Sequence, residues 1–227
     1  MFELNGKNIP ETLDELLIPL KTAHIIIDLQ KDICYPNGLF ARAGGDISSF
    51  QKVIQRIAWL TEESRKLKVL QIFVKVVSLQ NGLSDSPSWI WLSRRMLTQY
   101  KKEINIDITK ERFCQKKHWG SELIDELKIQ ERDIVIEKHR SSAFFGTNLD
   151  MILRSNDIHT LMFSGCTTEG CVETSVRDAG CLDYFPIVIE DGVASDVPLL
   201  HKSSLTVLKA YRAVVITANE AIEALQS

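Results

Sequence analysis

The sequence predicts an α/β protein, a three-layer α/β/α sheet of six parallel strands. Three observations carry this. Short β-branched or wholly apolar runs recur along the chain, stretches with helical spacing separate them, and no Pro/Gly/Ser-rich linker, internal repeat or low-complexity tract interrupts the 227 residues. Alternation of this kind implies parallel pairing through right-handed crossovers. The expected organisation is a single domain over 1–227, with 1–20 as an N-terminal extension.

The first expected strand is Ala23–Leu29 (AHIIIDL), almost wholly apolar and suited to burial on both faces. Ser48–Lys66 follows with helical spacing, offering Ile54, Ile57, Ala58 and Leu60 as an inner face. Leu70–Val77 (LQIFVKVV) is the second strand and Ile134–Glu137 (IVIE) the third. Asn148–Arg154 is helical and leads into a fourth strand, His159–Phe163. Glu169–Leu182 is helical, Pro186–Ile189 (PIVI) the fifth strand, Leu199–Ala210 helical, Ala213–Ile216 the sixth strand and Ala218–Leu225 a closing helix. Residues 78–133 hold Trp89, Trp91 and Trp119 with weak periodicity, a place for a lid or a subunit contact.

Composition narrows the function. Lys+Arg number 27 against 30 Asp+Glu, a net charge of −3, without the basic excess of a nucleic-acid binder. No apolar run approaches the ~18–20 residues that span a bilayer, and the first residues, MFELNGKNIPETLDELL, have no signal-peptide pattern. Five cysteines, at 34, 114, 166, 171 and 181, form neither a zinc spacing nor an even disulfide set. A reducing, cytoplasmic setting is expected. No metal or nucleotide motif occurs, so no cofactor is implied.

In open α/β sheets ligands bind beyond the carboxyl ends of the strands. Asp28 ends an apolar run after the first strand, and a deep carboxylate must be paired or serve a purpose. Lys138 follows IVIE; a lysine there is ordinarily solvated, but beside a buried carboxylate it can hold or shuttle a proton. After the fourth strand comes Ser164-Gly165-Cys166-Thr167-Thr168-Glu169-Gly170-Cys171-Val172. Its glycines permit a tight turn, and Thr167 or Thr168 suits an N-cap. Cys171 would then lie in the first helical turn, where free N–H groups favour a thiolate and can stabilise an oxyanion. Cys34, Cys114 and Cys181 read as small buried hydrophobes, and Cys166 as a turn residue. Asp28, Lys138 and Cys171 thus form a possible base, third member and nucleophile. A Cys/His pair is the main competitor. His24 and His159 sit at strand starts, His139 faces away from Lys138, and His118 and His201 stay open. If the strand order is 3-2-1-4-5-6, Lys138 must cross roughly 10 Å to reach the first strand.

These blocks, with Ile26-Ile27-Asp28-Leu29-Gln30-Lys31-Asp32, Trp119-Gly120-Ser121-Glu122, Glu137-Lys138-His139-Arg140-Ser141-Ser142-Ala143-Phe144 and Arg177-Asp178-Ala179, resemble the isochorismatase-like cysteine hydrolases over nearly the whole chain. The resemblance implies a doubly wound six-stranded sheet and an Asp–Lys–Cys triad at Asp28, Lys138 and Cys171. It also implies a cis peptide between Cys166 and Thr167, an oxyanion hole from the N–H groups of Thr167 and Cys171, and a homo-oligomer, dimer or tetramer. Nicotinamidases carry an Asp-x-His…His metal site where this chain reads Ser78-Leu79-Gln80-Asn81-Gly82, which disfavours that activity. The turn, the Arg140–Asp150 stretch and Asp183-Tyr184-Phe185 look closest to ureidoacrylate, biuret and N-carbamoylsarcosine amidohydrolases. The expected substrate is therefore a small ureido, carbamoyl or amide compound, with Gln30, Trp119 and Phe144 as candidate contacts. The alternatives are a vinyl-ether hydrolase that does not need the thiol and a non-catalytic module on the same fold.

Overall fold

The computed structural model describes residues 1–98 and 111–227. Of the stretch proposed as a lid or subunit contact, 99–110 lies outside the described residues. The chain opens with an antiparallel hairpin, β1 (Phe2–Leu4) and β2 (Lys7–Ile9). It turns at Asn5 and Gly6, both at positive φ (54° and 73°), the conformation that an Asn-Gly pair favours in a two-residue hairpin. The short helix α1 (Leu13–Leu16) follows.

Six parallel strands then make the main sheet: β3 (Thr22–Ile27), β4 (Leu70–Val76), β5 (Ile134–Lys138), β6 (Thr160–Cys166), β7 (Phe185–Ala194) and β8 (Val214–Ile216). Their order is β5-β4-β3-β6-β7-β8, the 3-2-1-4-5-6 arrangement. Between them run α2 (Lys31–Cys34), α3 (Leu39–Arg42), α4 (Ser48–Lys66), α5 (Pro87–Thr98), α6 (Leu149–Ser155), α7 (Glu173–Cys181), α8 (Pro198–Tyr211) and α9 (Ala218–Leu225).

The period of two along each strand sorts the core onto two faces. Ile25, Ile27, Ile72, Val74, Leu161 and Phe163 pack against Leu153, Val176, Ala179 and Leu208 of α6, α7 and α8. Ile26 and Phe73 pack against Phe50, Ile54 and Ile57 of α4. Met162, Ile187 and Ile189 meet Leu60, Ala221, Ile222 and Leu225, with Leu13 and Leu16 of α1 closing that side. Strands covered on both faces read as continuous apolar runs, which is why β3 and β4 were legible.

Two strands run several residues past their expected ends, and β5 runs one past its own, to Lys138. β6 continues through Ser164, whose hydroxyl meets His24 at 2.7 Å, and Gly165. Gly165 lies flat on β3: a Cβ there would stand 2.0 Å from the Ile27 carbonyl oxygen, and φ is +117°. β7 continues through Glu190 and Asp191, polar residues that break an apolar pattern. Asp191 is held by Arg56 of α4 and accepts the Ala218 N–H at 2.8 Å, at the start of α9. The expected helix from Glu169 begins later, at Glu173. Thr168–Val172 forms a wide π-type turn, kinked at Gly170 (φ −100°, ψ −105°). Among the described residues no helix is long and apolar enough to cross a membrane.

His24 yields a prediction. Burial pushes its pKa down to about 3, the Arg65 charge adding to this and a Gln71 hydrogen bond opposing it. The ring is neutral in the fold and protonated in the unfolded chain below 6.5, so the unfolded state binds the extra proton and stability falls as pH drops from 6.5 towards 3. Between pH 7 and pH 5 this group alone should cost about 2 kcal/mol. Urea unfolding at the two pH values should show the drop in the natural protein and a smaller one in His24→Gln.

Candidate active site

Asp28 follows the last residue of β3, and Cys166 ends the neighbouring β6, where Gly165 pairs with Ile27. Asp28 takes a left-handed φ of 56°, which Asp tolerates better than most residues, and donates its N–H to Val74 O at 2.8 Å. The turn places the carboxylate over the end of the sheet. Lys138 ends β5 opposite Val76 of β4, and its side chain crosses β4 to reach Asp28. The ammonium lies 2.8 Å from Asp28 Oδ2 and donates to Cys171 Sγ at 3.1 Å and to Arg140 O at 3.0 Å. Lys138 and Asp28 are fully buried, and Asp28 Oδ1 has no hydrogen-bond partner among the described residues.

The electrostatics follow from this burial. Desolvation alone would lower the Lys138 pKa, but Asp28 and Cys171 beside it outweigh that and hold it above the ordinary lysine range. Burial, and then the Asp28 charge, push the Cys171 thiol up to about 12, against the lowering influence of Lys138. The expectation of a thiol made acidic by a helix N-terminus is therefore corrected. Cys171 sits in the turn ahead of α7, among buried groups, and rests as a thiol beside a carboxylate that can take its proton.

The peptide joining Cys166 and Thr167 is cis. Thr167 O receives the N–H groups of Gly170 and Val172, at 3.1 and 3.2 Å, which winds the turn tightly around Cys171. Neither threonine caps through its side chain as expected: Thr167 makes no such bond, and the Thr168 hydroxyl meets His201 Nδ1 at 2.8 Å. His201 thus approaches the turn through Thr168 and not through the thiol. His118 sets the turn at Trp119 by accepting from Gly120 N, and His139 Nδ1 lies 2.7 Å from Val77 O.

Two of the three candidate substrate contacts are corrected. Both hydrogens of the Gln30 amide go to backbone: Nε2 donates to Val76 O (2.9 Å) and Ser121 O (3.1 Å), and Oε1 accepts from Val76 N (2.8 Å). It joins the end of β4 to the 119–121 turn and has no N–H left for a substrate. Phe144 belongs to the core, stacked on Tyr184 with ring centroids 6.0 Å apart. Trp119 is half-exposed, 6.1 Å from the Tyr35 ring and with the Lys31 ammonium 5.9 Å from its own. Cys34, Cys114 and Cys166 are buried, but Cys181 is exposed, because it falls on the solvent side of the last turn of α7. The Arg177-Asp178-Ala179 block has a role that the sequence left unassigned. Asp178 accepts from Ser142 Oγ, and Ser175 Oγ joins Ala143 N to Cys171 O (2.9 and 2.6 Å). These bonds fasten the loop after Lys138 to the helix behind Cys171.

Residues 22–220 match the isochorismatase domain. The chain belongs to the isochorismatase family. Among its relatives, ureidoacrylate amidohydrolase RutB of Caulobacter segnis is 35% identical over 204 residues, covering 85% of this chain and 81% of that protein. RutB of Klebsiella pneumoniae subsp. pneumoniae is 35% identical over 80% of this chain and 76% of its own. Among solved structures of this fold, a cysteine hydrolase from Pseudomonas syringae pv. phaseolicola superimposes with a TM-score of 0.77 at 25% identity, covering 93% of this chain and 95% of that one. N-carbamoylsarcosine amidase of Thermoplasma acidophilum does so with 0.67 at 28%, covering 88% and 97%. The six-stranded sheet with helices on both faces is the isochorismatase-like hydrolase fold.

Proposed function

We propose that this isochorismatase-family protein is a cysteine amidohydrolase that cleaves a C–N bond of a small ureido or carbamoyl compound through a thioester-type intermediate. The observation that carries the reading is the Lys138 ammonium held between Asp28 Oδ2 at 2.8 Å and Cys171 Sγ at 3.1 Å. The identity to ureidoacrylate amidohydrolases supports the substrate class.

In this mechanism substrate arrival draws the thiol proton to Asp28, whose unpartnered Oδ1 can receive it. Lys138 keeps the carboxylate oriented and offsets charge on sulfur. The sulfur attacks the carbonyl carbon, and the N–H groups of Thr167 and Cys171 take the oxyanion. Collapse breaks the C–N bond, and Asp28 returns the proton to the leaving ammonia or amine. Asp28 then activates water to free Cys171. A carbamate product would lose carbon dioxide.

The purified protein, without added metal, should release ammonia from ureidoacrylate, biuret or an N-carbamoyl amino acid. Release from none of these, or activity abolished by a chelator, would overturn the reading.

A further inference from the structure

The ureido and carbamoyl acids in this reading carry a carboxylate beside the scissile group, and a carboxylate in a cleft calls for a cation free to meet it. Most cations near the carboxyl ends of the strands already have acidic partners. Lys138 faces Asp28, Lys31 faces Glu122 and Asp125, Lys116 faces Glu137, Arg112 faces Asp85 and Arg177 faces Glu173. Arg140 meets no carboxylate among the described residues.

Arg140 is also held where it could act. Its backbone oxygen accepts from the Lys138 ammonium at 3.0 Å, so the residue borders the triad. One terminal nitrogen, NH1, donates to Ser84 O at 3.0 Å and His139 O at 2.6 Å, which uses both of its hydrogens. The guanidinium lies over the Trp89 ring, 5.4 Å from its centroid. Nε and the second terminal nitrogen have no hydrogen-bond partner among the described residues. They form the edge of the fork that grips a carboxylate with two parallel hydrogen bonds. The nearby Asp85 does not neutralise it, because that carboxylate accepts from Ser78 Oγ at 2.7 Å and Ser84 Oγ at 3.0 Å and faces Arg112 at 3.5 Å.

We propose that Arg140 is the specificity-determining anchor for a carboxylate on the substrate, so that the site selects ureido and carbamoyl acids over neutral ureas. This rests on the amidohydrolase reading above. Stacking on Trp89 and the two carbonyl contacts fix the plane of the fork before substrate arrives, so little side-chain freedom is lost on binding.

The test compares kcat/KM of the full-length protein for ureidoacrylate and N-carbamoylglycine, which are anions, with that for biuret and methylurea, which are neutral, by ammonia release. In Arg140→Gln the anion-to-neutral ratio should fall about 100-fold, chiefly through KM for the anions, as expected when a charged hydrogen-bond partner is removed. Arg140→Lys, which keeps the charge and loses the fork, should fall between the two and serves if the Gln variant folds poorly. An equal loss for anions and neutrals would make Arg140 a mere clamp on the 84–89 segment and overturn the proposal. Equal efficiency of the natural protein on both classes would also overturn it while leaving the amidohydrolase reading intact. Absence of C–N hydrolysis on all four compounds would instead defeat that underlying reading.

Discussion

Cys171→Ala is expected to lower kcat for ammonia release by at least about 10⁴-fold, a loss of about 5.5 kcal/mol of transition-state stabilisation. Its thermal unfolding should stay close to that of the natural protein, because the change removes one sulfur from a partly exposed side chain. Cys171→Ser should fall comparably, since a hydroxyl is harder to deprotonate than a thiol. The chemistry behind the size of the effect is specific. With the thiol pushed up to about 12 by burial and Asp28, almost no thiolate exists at neutral pH before substrate binds. Nucleophilicity then depends on proton transfer to Asp28 within the complex. Alkylation of Cys171 by iodoacetamide at pH 7 should therefore be slow in the free protein. Full activity in Cys171→Ala would assign the reaction to Asp28 alone, as a vinyl-ether hydrolase would use it.

Lys138→Met should cost both stability and activity. Removing one partner of a fully buried ion pair leaves the other charge desolvated, at a cost of about 3–5 kcal/mol. Without the cation Asp28 is left buried with no counter-charge to orient it, and should cease to act as a base. Turnover should drop by about three orders of magnitude or more, the scale expected when acid–base function is lost. Asp28→Asn combined with Lys138→Met should recover much of the stability and none of the activity, because two neutral groups need no counter-charge. Urea unfolding of the three variants, followed by circular dichroism, checks the first half; ammonia release checks the second. The sign of the pH dependence follows too. The Lys138 pKa is raised in the fold, so its stabilisation is complete below about 10.5 and is lost as pH rises through the folded value. An alkaline limb of this origin should be absent from Lys138→Met.

Asp28, Lys138 and Cys171 were legible because the sheet puts strand ends together, and an apolar run marks where each strand stops. Gln30 was misjudged for a physical reason. From sequence a glutamine two residues after Asp28 can serve a ligand or the backbone, and only folding brings the ends of β4 and the 119–121 turn to its amide. Phe144 likewise reads as a pocket wall until Tyr184, forty residues on, is seen stacked against it. Arg140 stands in the sequence only as a member of the block after Lys138, and its contacts with Trp89 and Ser84 join segments that no local pattern connects. Two local signals went unused: Asn5-Gly6 at the N-terminal hairpin, and Thr217 with Glu220, the capping box of α9.

Lys138 gives its three N–H bonds to three separate pieces of chain: the end of β3, the turn that carries Cys171 and the loop beyond its own strand. Yet it is carried by β5, which among the described residues is an outermost strand paired on one side. Outer strands are released in local openings that cost less than global unfolding. Under mild urea or warming, catalysis should therefore vanish while most of the sheet is still folded. Activity then monitors the docking of a single margin strand, and inactivation becomes a sub-global event, reversible on a timescale separate from that of refolding.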